Sequence, residues 1–172
     1  MRYIVLLRGV NVAGKNKLPM AEFRTLLEEA GFASVKSYIQ SGNIGLDTEE
    51  DAEKIKLKIE KILFYTYGYE VPVLVLLQSS LKVILEVNPF LDQDPKFLHF
   101  TLLHDFPSSK SLDEFNGIRI EGEYASCIES CVHLYLPNGY GGAKLVNGFI
   151  ERKLKVSATT RNYKTMLKLL DL

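Results

Sequence analysis

Three observations predict an α+β chain of two ferredoxin-like (α/β plait) subdomains, the first β-α-β-β-α-β, the second less regular, with a C-terminal helix. Hydrophobic periodicity alternates between strand and helix in the order β-α-β-β-α-β up to about Leu77. The second and third strand signals are separated only by the turn dipeptide Ser41-Gly42, which joins them as an antiparallel hairpin. The order β-α-β-β-α then returns after a linking helix, so the expected domains are residues 1–78 and 79–172.

Each element follows from its own pattern. Tyr3 to Leu7 is a short aliphatic run and reads as a buried strand. Pro19 suits a first helical position, and Phe23, Leu26, Leu27 and Ala30 repeat on one helical face until Gly31 stops them. In "SVKSYIQ", alternation places Val35, Ser37 and Ile39 on one face and Lys36, Tyr38 and Gln40 on the other. "NIGLD" continues the hairpin. Ile55, Ile59, Ile62 and Leu63 form the stripe of a charged helix ended near Gly68, and "YEVPVLVLL" is the next strand. The second half reads as a helix from Ser79 to Val87, a strand from Lys96 to His104 and a short helix around Ser111 to Phe115. Strands follow over Ile118 to Ser126 and Cys131 to Leu136, then an amphipathic segment from Lys144 to Leu154. "VSATT" is the candidate last strand, before a helix bearing Tyr163, Met166, Leu167 and Leu170.

Composition bounds the function. At 172 residues and 47% hydrophobic, the chain can bury a substantial core. Lys+Arg and Asp+Glu balance at 21 each, which removes any global field that would draw the protein onto nucleic acid or an anionic membrane. An anion site must therefore be local. The apolar start is broken by Arg8 and lacks a cleavage pattern, and "VPVLVLL" falls far short of the roughly 20 apolar residues of a membrane span. The expectation is a cytoplasmic protein with no membrane partner. Cys127 and Cys131 read as a reduced pair in a hairpin; with His133 they make three candidate metal ligands but no evident fourth, so no metal site is assigned.

The segment "RGVNVAGKNK", Arg8 to Lys17, carries G-x-x-x-x-G-K spacing in Gly9, Gly14 and Lys15. A P-loop also needs a Ser or Thr hydroxyl for magnesium directly after the Lys, a helix opening there and a parallel sheet. Here Asn16 follows Lys15, the helix begins near Pro19, and the neighbouring strands form a hairpin. NTP hydrolysis is disfavoured.

"LLRGVNVAGKNKLPMAEFRTLLEEAGF", "VKSYIQSGNI" and the C-terminal "SATTRNYKTMLKLLDL" resemble the signature stretches of a bacterial family, domain of unknown function 1697. The family pattern R-G-[IV]-N-V-G-G-K-N-K has the same Asn after the Lys. This sequence departs from it at Ala13, where Gly is usual, and at Tyr163, where Trp is common. The resemblance implies two ferredoxin-like subdomains, with no assigned activity or cofactor.

In the ferredoxin-like topology the first and second strands run parallel and flank the third, so the loop after Arg8 and the turn after Gln40 leave the same sheet end. Arg8, Asn11, Lys15 and Lys17 are thus expected near Tyr38, Gln40, Ser41 and Asn43, a set suited to phosphate or carboxylate. Arg8 to Lys17 holds three cationic residues and no acid; Arg152 to Lys168 holds six and no acid. Thr159 or Thr160 is expected to cap the last helix, leaving Thr160, Arg161 and Asn162 at a helix N-terminus that faces the Arg8 loop. The glycines of "NGYGGAK" also suit phosphate, more weakly.

The leading expectation is binding of a phosphate-bearing small molecule or nucleotide-like anion at this cationic Gly-rich loop. Single-stranded nucleic-acid binding on the sheet face ranks below it, because only Tyr3 and Tyr38 offer stacking aromatics. A non-catalytic structural or interaction module is the third reading. No catalytic triad, metal spacing or carboxylate pair is present in the pattern.

Overall fold

The computed structural model describes residues 1–12 and 14–172. The chain divides into two compact units, Met1–Lys82 with Lys168–Leu172, and Val83–Leu167. No helix among the described residues is long and apolar enough to cross a membrane.

The first unit runs β1 (Arg2–Leu7), α1 (Met20–Glu29), β2 (Ala33–Tyr38), β3 (Asn43–Asp47), α2 (Ala52–Tyr67) and β4 (Val73–Leu77). Its sheet order is β2-β3-β1-β4, and every neighbouring pair is antiparallel. β1 and β2 therefore run parallel on either side of β3, as the predicted topology requires. Alternation along β1 sends Tyr3, Val5 and Leu7 to the helical side, where Phe23, Leu27, Ile55, Ile59 and Leu63 meet them in one core. α2 is capped at both ends: the Asp51 carboxylate accepts from Lys54 N at 2.9 Å, and Gly68 closes the helix in the left-handed conformation. On the opposite face of the sheet Leu172 lies over Gly45, where an added β-carbon would stand 2.9 Å from the Leu172 β-carbon. Arg2 reaches the same place and donates from Nη2 to the Leu172 carbonyl.

α3 (Gln78–Glu86) carries the chain onward to β5 (Leu98–Leu103), α4 (Ser109–Asn116), β6 (Tyr124–Ile128), β7 (Cys131–Tyr135), α5 (Asn147–Leu154), β8 (Ala158–Asn162) and α6 (Tyr163–Leu169). The second sheet, β6-β7-β5-β8, repeats the strand order and antiparallel pairing of the first. Val132, Leu134, Leu136, Ile150, Leu154 and Ala158 fill its core. The fold is thus α+β, with two ferredoxin-like plaits.

Four local expectations change. The strand expected over 118–126 is confined to β6, because Gly122 turns the chain at φ +72° and leaves only the isolated bridge Ile120–Glu123 before it. The last strand extends past "VSATT" to Asn162, so Thr159, Thr160 and Arg161 lie in the β5–β8 ladder and cap no helix. Asn162 caps α6 instead, its Oδ1 accepting from Thr165 N at 2.8 Å. Ile39 does not extend the face of Val35 and Ser37: it leaves the strand at φ +51° and is 52% exposed.

The Cys127–Cys131–His133 set does not converge. Cys127 packs against the helix-side core, whereas Cys131 and His133, two residues apart on β7, face the other side. Both cysteines are free thiols, and burial raises their pKa values. Among the described residues no three His, Cys, Asp or Glu side chains cluster as a metal site would require.

Candidate functional site

The loop from Arg8 to Lys17 is built from left-handed backbone and closed by its own hydrogen bonds. Gly9, Asn11, Gly14 and Asn16 have φ of +72°, +54°, +77° and +46°. Glycine adopts this region freely, and Asn is the side-chain residue that tolerates it best. Val12 and Lys15 pair across a short antiparallel bridge, with Lys15 N donating to Val12 O at 2.9 Å and Asn11 N to Asn16 O at 3.1 Å. The Asn16 amide donates to Gly9 O at 3.1 Å.

Asn11 is the staple of this end of the sheet. Its Nδ2 donates to Leu18 O at 2.9 Å and to Gln40 O at 2.8 Å, while its Oδ1 accepts from Leu18 N at 2.8 Å. One side chain thus holds the start of α1 and the β2–β3 turn against the loop. Its amide is thus spent on bonds within the protein. Lys15 and Lys17 are exposed, and Arg8 is half-buried.

The β2–β3 turn, residues 39–42, is fixed in the same way, with Leu7 N donating to Gly42 O at 2.9 Å. Asn43 is fully buried, its Nδ2 donating to Tyr38 O at 3.1 Å and to Ser41 Oγ at 2.8 Å. Tyr38 and Ser41 are half-buried and Gln40 is exposed. Arg8, Asn11, Lys15 and Lys17 in one loop, Gln40 and Ser41 in the turn, and the strand-end residues Tyr38 and Asn43 that flank it therefore share one end of one sheet, where hydrogen bonds join loop to turn. Tyr69, absent from the sequence-based set, joins them: its hydroxyl donates to Lys17 O at 3.0 Å.

Thr160, Arg161 and Asn162 lie in the second unit. The Thr160 hydroxyl is engaged with Thr101 Oγ1 at 2.8 Å and Asn147 Oδ1 at 2.9 Å, which ties β8 to β5 and to the start of α5. Arg161 donates to Thr160 O at 2.9 Å, and burial lowers its pKa to about 10, so it stays cationic at neutral pH. In the loop containing "NGYGGAK", the backbone N–H groups of Lys144 and Leu145 donate to the Glu123 carboxylate at 2.8 Å each. The protein's own anion occupies the donors that the glycine pattern offered to phosphate.

The P-loop comparison fails on geometry. Lys15 N is turned back onto Val12 O, α1 begins at Met20, and both strands beside β1 are antiparallel to it. A phosphate-wrapping loop needs its N–H groups free and a helix opening onto the ligand. Ala13, where the family pattern carries Gly, lies outside the described residues.

A family model described as protein of unknown function (DUF1697) matches residues 1–133. The chain belongs to this family. The matched span contains the Arg8–Lys17 loop, the hairpin turn and the first half of the second plait; the C-terminal "SATTRNYKTMLKLLDL" lies beyond it. Among solved structures, the conserved bacterial protein SP0830 from Streptococcus pneumoniae is similar, with a TM-score of 0.80 and 24% identity over 99% of this chain and 97% of that one. That likeness carries the fold and no activity. No curated protein matches the chain.

Proposed function

We propose that the first unit binds a phosphate-bearing small molecule at the Arg8–Lys17 loop. The observation that carries this reading is a loop pre-shaped by the Asn11 staple that presents Lys15 and Lys17 to solvent, with no acid between Arg8 and Lys17. Internal bonds of the loop reduce the conformational entropy lost on binding, and a run of cations with no acid in it favours an anion. Lys15 N and Asn11 N are bonded internally, so the side chains of Lys15 and Lys17 supply the contacts of this reading. The role is therefore binding, with no reaction assigned.

Calorimetric titration of the full chain with ribose 5-phosphate and pyrophosphate tests the proposal. The Lys15→Ala/Lys17→Ala double variant should weaken binding at least ~10-fold, the scale of about 1.4 kcal/mol lost with two charge-assisted contacts. Binding unchanged in a variant that melts like the parent protein would reject the site. Nucleic-acid binding on the β1–β4 sheet is the weaker reading: Tyr3 faces the helical core, and Leu172 lies over Gly45 on the other face. Base stacking needs aromatic faces in the open.

A further inference from the structure

Two large apolar side chains stand exposed where the loop and the hairpin turn are stapled together. Val12 is 56% exposed and Ile39 52% exposed. Each is the chain neighbour of a residue in the bond from Asn11 Nδ2 to Gln40 O, so both sit at the same sheet end. Val12 also lies directly opposite Lys15 in the bridge, an arrangement that puts paired side chains about 5 Å apart. An apolar contact and a cation are thus presented together.

Ile39 is an unexpected occupant of its position. Its φ of +51° is left-handed, where a β-branched side chain is disfavoured and Gly or Asn would fit. Its exposure means that burial in the core does not offset that cost. Strain of this kind in a β-branched residue clusters at ligand clamps and active sites.

Resting on the phosphate-binding reading, we infer that the ligand is a nucleotide, its phosphate at Lys15 and Lys17 and one face of its base against Val12 and Ile39. A planar base can cover two aliphatic side chains with one face while its polar edge stays in water. The exposed side chain of Gln40, next to Ile39, carries both the donor and the acceptor that a base edge offers in return. An acyl chain needs enclosure, and a bare sugar phosphate would leave both apolar groups unused. Ile39 is then a specificity-determining residue.

Calorimetry on the full chain with ribose 5-phosphate and the four nucleoside monophosphates separates the alternatives. At least one nucleotide should bind ~10-fold or more tightly than ribose 5-phosphate, the scale of a modest apolar contact. Ile39→Gly should abolish that difference, leave ribose 5-phosphate affinity within about two-fold, and hold or raise the unfolding midpoint because the strain is relieved. Equal affinity for sugar phosphate and every nucleotide overturns the nucleotide assignment and leaves the phosphate site standing. So does an Ile39→Gly variant that retains nucleotide preference. If neither probe class binds, both readings fall together.

Discussion

Gly42 has φ +71°, and a β-carbon built there would stand 2.7 Å from both the Leu7 β-carbon and Val10 Cγ2. Left-handed strain of roughly 1 kcal/mol and overpacking of about 1–3 kcal/mol act together, so Gly42→Ala should destabilise by about 2–4 kcal/mol. Gly14 also has positive φ, +77°, but meets nothing within 4 Å, so Gly14→Ala should cost only about 1 kcal/mol. Urea unfolding of the two variants side by side checks the contrast. Equal losses would mean that contact with Leu7 and Val10 is unimportant. The special role of Gly42 is invisible in the dipeptide Ser41-Gly42, which announces only a turn; the crowding comes from Leu7 at the end of β1 and Val10 in the loop after it, far away in sequence.

At the scale of elements, the strands and helices of the first plait follow the hydrophobic periods closely, because each buries one stripe or one alternate set in a single core. Departures occur where a tertiary partner decides. β8 runs on through polar Thr160, Arg161 and Asn162 because β5 pairs with it and the Thr101 and Asn147 side chains engage the Thr160 hydroxyl. Ile39 fits an alternating pattern by identity, yet the turn takes it out of the strand. Asn11 stood among the expected anion contacts by its place in the cationic loop; its bonds to Leu18 and Gln40 depend on a tertiary approach that the loop's own sequence does not announce. Asn11→Ala removes three hydrogen bonds and should cost about 2–3 kcal/mol, by the usual net worth of about 1 kcal/mol each. Hydrogen exchange should speed up at Leu18, whose N–H loses its acceptor, while β5–β8 keep their protection. If Leu18 stays protected, the staple is not what orders the loop.

At the scale of the molecule, the buried histidine sets a pH dependence. His133 is fully buried, neither ring nitrogen has a hydrogen-bond partner, and desolvation lowers its pKa from 6.5 to about 4. The folded chain therefore holds His133 neutral while the unfolded chain protonates it near its ordinary value. The stabilisation is full above about pH 6.5 and is lost as pH falls towards about 4, up to about 3 kcal/mol in all. His99, lowered by burial in the same direction, adds to the slope. Urea midpoints at about pH 7 and about pH 4.5 should differ, and His133→Phe should shrink the difference. An unchanged difference would place the acid sensitivity elsewhere.

The reach of Leu172 over Gly45, and its bond from Arg2, makes the first unit discontinuous: its residues come from both sides of the second. During synthesis the β1–β4 sheet can pair as soon as β4 has left the ribosome. Its far face must then wait, uncovered at Gly45, through the whole of the second plait until Lys168–Leu172 emerges. Completion of the amino-terminal half is thereby a late event, timed by the carboxy-terminal one.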